Sequence, residues 1–228
     1  MNTHQLASHI QYTNVNPEMT RVQLVKHCED CITYGFDAAM VAPCWATEAQ
    51  AILRGSKVHV ATAVSFPSGN DTTTMKLALV REVLKLGVRD FDFTSNTGFL
   101  LSGMEKEFAA DMRAVADLAR AEGAQTKVIL EFGLYEAPTL RHRAAELAVE
   151  AGIDFLKQSS GFSKGIPATP EDVAFLKRVA VDRARVKASG SINSRAKAEA
   201  LIEAGASLLG TSSAVAIVSS GVSAPGAY

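Results

Sequence analysis

Two lysines stand in places where lysine is uncommon. Ile153-Asp154-Phe155-Leu156-Lys157-Gln158 and Arg183-Ala184-Arg185-Val186-Lys187-Ala188 both read as short β-strands, and lysine is depleted in strands and almost never fully buried unless paired. One strand-helix-strand unit of about 30 residues separates them, so they belong on neighbouring strands whose backbones run roughly 4.8 Å apart. A lysine attacks a carbonyl only as the neutral amine, and desolvation together with a nearby positive charge lowers its pKa toward that form. A carboxylate joins them. In Arg89-Asp90-Phe91-Asp92-Phe93-Thr94 the period-two alternation puts Asp90, Asp92 and Thr94 on one face and the phenylalanines on the other, and an acid such as Asp92 opposite an amine can shuttle protons. The plainer reading is structural: lysines projecting from strand ends into salt bridges, and a buried acid held by hydrogen bonds. Both lysines together with the acid favour carbonyl chemistry over it.

The elements that must position these residues are legible as β-rich runs alternating with segments of helical period, the pattern of parallel strands joined by crossover helices. Eight strands are expected: His9 to Tyr12, Asp37 to Val41, Val58 to Ser65, Arg89 to Thr94, Lys127 to Glu131, Phe155 to Gln158, Arg185 to Ser189 and Ser207 to Gly210. Between them, Asp71 to Leu86, Glu105 to Glu122, Pro138 to Glu150 and Arg195 to Glu203 are rich in good helix formers. Thr169-Pro170-Glu171-Asp172 marks a helix start, with an N-cap hydroxyl, proline at the first helical position and acids in the first turn. Helical segments also end in glycine just before a strand, as in Tyr34-Gly35-Phe36, Leu86-Gly87-Val88, Ala151-Gly152-Ile153 and Ala204-Gly205-Ala206. The repeated unit favours a (β/α)8 TIM barrel, an α/β fold. An open doubly wound sheet has the same local units and stays as the alternative. In a barrel the phenylalanines beside Asp92 meet the helix ring, the acids face the interior, and Asp92 sits toward the C-terminal half of its strand, where barrel active sites are built.

The chain has 228 residues, 47% of them hydrophobic, which suits one barrel of the usual length of about 250 residues and leaves no room for a second domain. The expected organisation is a single barrel over residues 1–218 and a mobile tail of small residues over 219–228. With 23 Lys plus Arg against 24 Asp plus Glu, no general field draws in nucleic acid or anionic membrane. Met1-Asn2-Thr3-His4-Gln5 lacks a signal-peptide pattern, and no run approaches the roughly 18 apolar residues of a membrane span, so a cytoplasmic protein is expected. Cys28, Cys31 and Cys44 are read as free thiols, the first two as core-facing positions three apart on one helix rather than half of a zinc or redox site. The five histidines show no metal-ligand spacing, and neither a catalytic metal nor a cofactor is expected. Two clusters after the late strands, Ala188-Ser189-Gly190-Ser191 and Gly210-Thr211-Ser212-Ser213-Ala214, fall where barrels often hold phosphate through backbone N–H groups. Ordinary Gly-Ser turns would look the same.

In this order, these pieces resemble the deoxyribose-phosphate aldolase family over nearly the whole chain. Phe155-Leu156-Lys157-Gln158-Ser159-Ser160-Gly161-Phe162 is similar to the family's Schiff-base strand, Val186-Lys187-Ala188-Ser189-Gly190 to its second-lysine strand, and Asp90-Phe91-Asp92 to the strand of its proton-relay aspartate. Phe66-Pro67-Ser68-Gly69 with Thr72-Thr73-Thr74-Met75-Lys76, Lys127-Val128-Ile129-Leu130-Glu131 and Gly210-Thr211-Ser212-Ser213 are supporting matches. The resemblance implies a class I aldolase that reversibly cleaves 2-deoxy-D-ribose 5-phosphate to D-glyceraldehyde 3-phosphate and acetaldehyde. It implies that Lys157 forms the imine, Lys187 depresses its pKa, Asp92 moves protons through water, and a final Tyr228 assists proton transfer at the enamine. Gly190, Ser191, Gly210, Ser212 and Ser213 would hold the phosphate, with Thr13 and Ser160 also in the substrate site.

The sequence departs from the family pattern at several positions. Gln11-Tyr12-Thr13 stands where Asp-His-Thr is usual, removing an acid expected beside Lys187; Ala42 replaces an asparagine, Gln158 and Ser160 replace threonines, and Ser191-Ile192-Asn193 stands where Gly-Ile-Arg is common. Other readings stay open: a Schiff-base aldolase for a different aldehyde or ketone, phosphorylated or not, which the changes at Gln11, Ala42 and Ser191 would permit; a non-catalytic metabolite-binding barrel; and last a thiol-redox protein using Cys28 and Cys31. The expected partner is a small sugar phosphate or aldehyde. A homodimer is the assembly to test, since barrels often dimerise, although no diagnostic patch is visible.

Overall fold

A computed structural model describes residues 1–162 and 165–219. Its strands are β1 (Ile10–Asn14), β2 (Ala38–Val41), β3 (His59–Val64), β4 (Asp90–Thr94), β5 (Gln125–Ile129), β6 (Phe155–Lys157), β7 (Arg185–Ser189) and β8 (Leu208–Thr211). Each pairs in parallel with the next, and β8 closes on β1, giving a closed barrel in sequence order. The helices Arg21–Tyr34, Ala46–Leu53, Thr73–Lys85, Glu105–Ala121, Pro138–Glu150, Pro170–Ala180 and Arg195–Glu203 connect successive strands. This is the (β/α)8 barrel, so the open-sheet alternative is dismissed. Among the described residues, no helix is long and apolar enough to cross a membrane.

Local chemistry sets these boundaries. Thr20 and Gln23 form a capping box at the start of the helix Arg21–Tyr34, and Gly35, at φ 68°, ends it in the left-handed region with its N–H on the Cys31 carbonyl. Thr169 caps the helix Pro170–Ala180 by accepting from the Asp172 N–H, at the boundary the sequence indicates. Two strands differ from expectation by two residues at an end, and the other shifts are of one residue. β1 runs on to Asn14 because Thr13 and Asn14 still find partners in Met40 and Val41. β5 starts two residues earlier, where Gln125 pairs with Asp90, and its expected last residue, Glu131, instead turns to φ 52°, outside the strand region.

Register decides what faces the lumen. Asp92 pairs with Ala63 and Lys127, Ile129 with Thr94 and Lys157, and Lys157 with Lys187; paired residues share a face of the sheet. The other face carries Phe91, Phe93, Val128, Leu156, Val186 and Leu209, which belong to the main core between barrel and helix ring. Inside the barrel, Ala38, Met40, Ala61 and Ala63 form a separate small cluster. That wall of short side chains leaves room for the long lysines of β5, β6 and β7. Gly210 belongs to the same economy of space, since a Cβ there would stand 3.2 Å from Lys187 Cε and 3.4 Å from Ser189 Cβ.

Candidate active site

Lys157 ends β6, so its amine lies toward the C-terminal mouth of the barrel, and Lys187 stands beside it on β7. Across the lumen, Asp92 accepts from Lys157 Nζ at 2.7 Å and, through both carboxylate oxygens, from Lys187 Nζ at 2.9 Å. Asp92 and Lys187 are fully buried, and Lys157 is 4% exposed. Burial by itself would raise the Asp92 carboxyl, but the amines of Lys157 and Lys187 outweigh it and hold Asp92 below its ordinary value. For Lys157 the balance runs the other way: burial pushes its pKa down, Asp92 opposes, and the neighbouring Lys187 adds to the depression. The tertiary structure therefore brings together the three residues singled out for carbonyl chemistry.

A second tier lies beneath them. Lys127, fully buried on β5, contacts Asp90 directly and lies 3.7 Å from Asp92. Burial pushes its pKa down, with Lys187 adding to the effect. Gln11, where an acid is usual in the family, donates Nε2–H to Asp37 at 2.9 Å and to Asp90 at 2.8 Å, and its Oε1 accepts from Lys187 at 2.7 Å. His59 Nε2 lies 2.9 Å from Asp90 at the N-terminal mouth. Reasoning from the sequence placed Asp90 on the interior face and read Gln11 as the loss of an acid, but it joined neither to Asp37, His59 or Lys127. For Lys127 the signal was available, because it is a lysine in a strand just as Lys157 and Lys187 are; the Gln11 contacts join β1 to β2, β4 and β7 and leave no local trace.

At the C-terminal mouth, Thr13 is buried and donates to its neighbour's carbonyl, Gln11 O. The Ser160 N–H donates to both Glu131 oxygens at 3.2 Å, while its hydroxyl lies within hydrogen-bond distance of the Phe162 carbonyl and amide. Gly190 and Ser191 follow β7 with φ 107° and 51°, and Ser191 is exposed. Gly210 lies in β8; Ser212 and Ser213, both half-buried, lead into the short helix Ala214–Val218. The Thr211 hydroxyl accepts from the Ser213 N–H and donates to the Ile192 carbonyl, which ties the two loops together. Tyr228 and the remainder of the tail after Ser219 lie outside the described residues.

The cysteines are free, with Cys28 and Cys31 buried in the core and Cys44 exposed. Burial pushes the Cys28 thiol up to about 11 and Cys31 higher still, which removes the thiolate a redox role needs. The histidine expectation needs correcting. Asp37, His59 and Asp90 offer ligand atoms within 4.8 Å of one another, because parallel pairing of β2, β3 and β4 sets these sequence-distant positions at one level. One oxygen of Asp37 and both of Asp90 are already engaged by Gln11 and Lys127. A cavity of about 610 Å³ opens at that N-terminal mouth, lined by these three residues together with Arg54, Arg89 and Arg185. It lies at the far end of the barrel from the amine of Lys157.

The fold agrees with what known proteins show. The model of the DeoC/LacD family of aldolases matches residues 10–224. A deoxyribose-phosphate aldolase of Geobacillus sp. (strain WCH70) is 39% identical over 213 residues, spanning 93% of this chain and 94% of the relative. Another, from Thermococcus gammatolerans, is 39% identical over 215 residues, spanning 93% and 95%. Among solved structures, deoxyribose phosphate aldolase from Aeropyrum pernix, described as a unique tetramer, superposes with a TM-score of 0.85 at 28% identity, covering 96% of this chain and 92% of that one. With the family model spanning nearly the whole barrel, the chain belongs to the DeoC/LacD family of aldolases.

Proposed function

We propose that the protein is a class I aldolase cleaving 2-deoxy-D-ribose 5-phosphate reversibly to D-glyceraldehyde 3-phosphate and acetaldehyde, with Lys157 as the covalent residue. One observation carries the reading: two buried lysines share a single buried carboxylate, Asp92. Two ammonium groups against one carboxylate leave an uncompensated buried charge, which is costly, so one amine is held neutral and nucleophilic.

In the proposed sequence, Lys157 Nζ attacks C1 of the open-chain sugar, and loss of water gives the protonated imine. Asp92, acting through water, removes the C3 hydroxyl proton; the C2–C3 bond breaks, and its electrons pass into the iminium to give an enamine. Glyceraldehyde 3-phosphate departs. Protonation of the enamine at C2, assigned to Tyr228 on the family resemblance, and hydrolysis then release acetaldehyde and free Lys157. Gly190, Ser191, Gly210, Ser212 and Ser213 are assigned to the phosphate, supported by their place at the C-terminal end of β8 and in the loops after β7 and β8. Thr13 and Ser160 are assigned to the substrate site from their positions near the same mouth. No metal or cofactor has a role in these steps.

A second reading is a Schiff-base aldolase for another, unphosphorylated aldehyde, favoured by Gln11, a neutral side chain on Lys187 where the family usually has an acid. A single barrel over residues 1–218 with a tail over 219–228, action in the cytoplasm and a homodimeric assembly belong to the proposal, and light scattering tests the last. The principal test is intact mass after borohydride reduction in the presence of acetaldehyde or deoxyribose 5-phosphate. A reduced adduct on the wild type that is lost in Lys157→Met is expected; no adduct with either compound, or one that survives in the mutant, would overturn the assignment. Comparing deoxyribose 5-phosphate with deoxyribose separates the two substrate readings.

A further inference from the structure

At the C-terminal ends of two neighbouring strands a hydroxyl is buried with no hydrogen-bond partner among the described residues: Ser65 Oγ, just after β3, and Thr94 Oγ1, on the last residue of β4. Thr94 is 1% exposed, and an unpaired buried hydroxyl costs stability that a valine of the same shape would not. Register sets what Thr94 faces. It pairs with Ile129, Ile129 with Lys157, and Lys157 with Lys187, so Thr94 shares their lumen face, one step nearer the mouth than Asp92 on its own strand. Its carbonyl accepts from Lys76 Nζ at 3.3 Å. Its methyl packs against the turn at Gly69, where an added Cβ would stand 2.8 Å from Thr94 Cγ2. With carbonyl and methyl engaged, the hydroxyl is the group left to meet a ligand. Lys157 is itself 4% exposed, and a sugar admitted to its amine enters beside Thr94.

We propose that Thr94 Oγ1 binds the C3 oxygen of the sugar held on Lys157 and fixes it for carbon–carbon cleavage. The inference rests on the aldolase reading above. Lys157 Nζ lies 2.7 Å from Asp92, so the imine carbon C1 forms beside that carboxylate, on the β4 side of the lumen. C3 is two bonds from C1, and its hydroxyl must come within one water of Asp92 to give up its proton. A sugar entering from the mouth has C3 on the mouthward side of C1, and the next lumen-facing residue of β4 in that direction is Thr94. The Thr94 hydroxyl donates to O3, which leaves the hydrogen of O3 free to point at the water on Asp92. As the C2–C3 bond breaks, O3 becomes the carbonyl oxygen of the departing aldehyde, and the same O–H steadies the charge that passes through it. In the reverse direction it polarises that carbonyl for attack by the enamine. Thr94 keeps its own proton throughout.

Two reactions are compared in the wild type, Thr94→Val, Thr94→Ser and Thr94→Ala. One is cleavage of deoxyribose 5-phosphate and of deoxyribose, both of which carry the C3 hydroxyl; the other is borohydride trapping of acetaldehyde, which has none. Thr94→Val is expected to lower kcat/KM for cleavage by about tenfold, what one hydrogen bond made to the transition state supplies, and to trap acetaldehyde at the wild-type rate. Its urea midpoint should not fall, because an orphan hydroxyl has been removed. Thr94→Ser should keep the cleavage that Thr94→Ala loses, and that pair decides the matter if Thr94→Val does not fold. Wild-type cleavage in Thr94→Val or Thr94→Ala, or a serine variant no better than the alanine one, would overturn the role of Thr94 and leave the Schiff base standing. Equal losses of cleavage and trapping, the mark of a packing role, would do the same. A wild type that traps acetaldehyde but cleaves neither sugar would also remove the role. Absence of any wild-type adduct would overturn the aldolase reading and the inference together.

Discussion

Lys187 reaches both carboxylate oxygens of Asp92, at 2.9 Å each, and so ties β7 to β4 across the barrel interior. The same aspartate takes Lys157 at 2.7 Å. The three side chains therefore form one electrostatic unit, and a change in any one of them should alter the other two.

Replacing Asp92 by asparagine keeps the shape and removes the charge shared by the two lysines. Activity in deoxyribose 5-phosphate cleavage is expected to fall by about 10²- to 10⁴-fold, the usual contribution of a positioned proton-transfer group. Borohydride trapping should show whether imine formation survives while carbon–carbon cleavage is lost. Activity within a few-fold of wild type would remove Asp92 from the chemistry.

Lys187→Met takes away the like charge that helps to depress Lys157. Its pKa then rises, the neutral fraction at pH 7 falls, and the rising limb of adduct formation moves to higher pH. The slowed trapping at neutral pH should be recovered in part by raising the pH, which a simple loss of structure would not allow.

Asp92 also makes folding depend on acid. Its folded pKa lies below its ordinary value, so the unfolded chain binds the proton more readily. The stability it contributes is present above the unfolded carboxyl pKa of about 3.9 and is lost as pH falls through the folded value. A urea titration followed by circular dichroism should show the wild type losing stability below about pH 4 more steeply than Asp92→Asn.

Outside the lumen, Lys76 and Asp111 form a fully buried pair at 2.6 Å, with the Thr73 hydroxyl donating to the second carboxylate oxygen at 2.7 Å. Lys76→Met strands the acid and is expected to cost about 3–5 kcal/mol in chemical denaturation. Adding Asp111→Leu should recover much of that loss, because the burial penalty goes with the charge. Trapping at Lys157 should persist in both variants wherever they are folded.

Much of this arrangement was legible in the sequence because it is local. Alternating Asp90, Phe91, Asp92 and Phe93, the lysines inside apolar runs, and the Thr169-Pro170 helix start each follow from backbone geometry within a few residues. Pro138–Glu150 and Arg195–Glu203 form helices at the limits expected, since helix formers and stop signals act over one or two turns. Gly35 shows the same, ending its helix in the left-handed conformation that glycine accepts at little cost.

Closure of the barrel belongs to the tertiary structure, because the same βα units suit an open sheet and only the pairing of β8 with β1 decides between them. That closure also placed Gln11, Asp37, His59, Asp90 and Lys127 in one polar tier, although four different connections separate them in sequence. From the sequence, Gln11 read as the loss of an acid. In the folded chain its amide is oriented by two carboxylates from other strands and offers Lys187 a neutral oxygen. Side-chain type and strand periodicity are local properties, and one chain carries them; the charge balance around Lys157 is a sum over neighbours from five strands, and it exists only once register has set their distances.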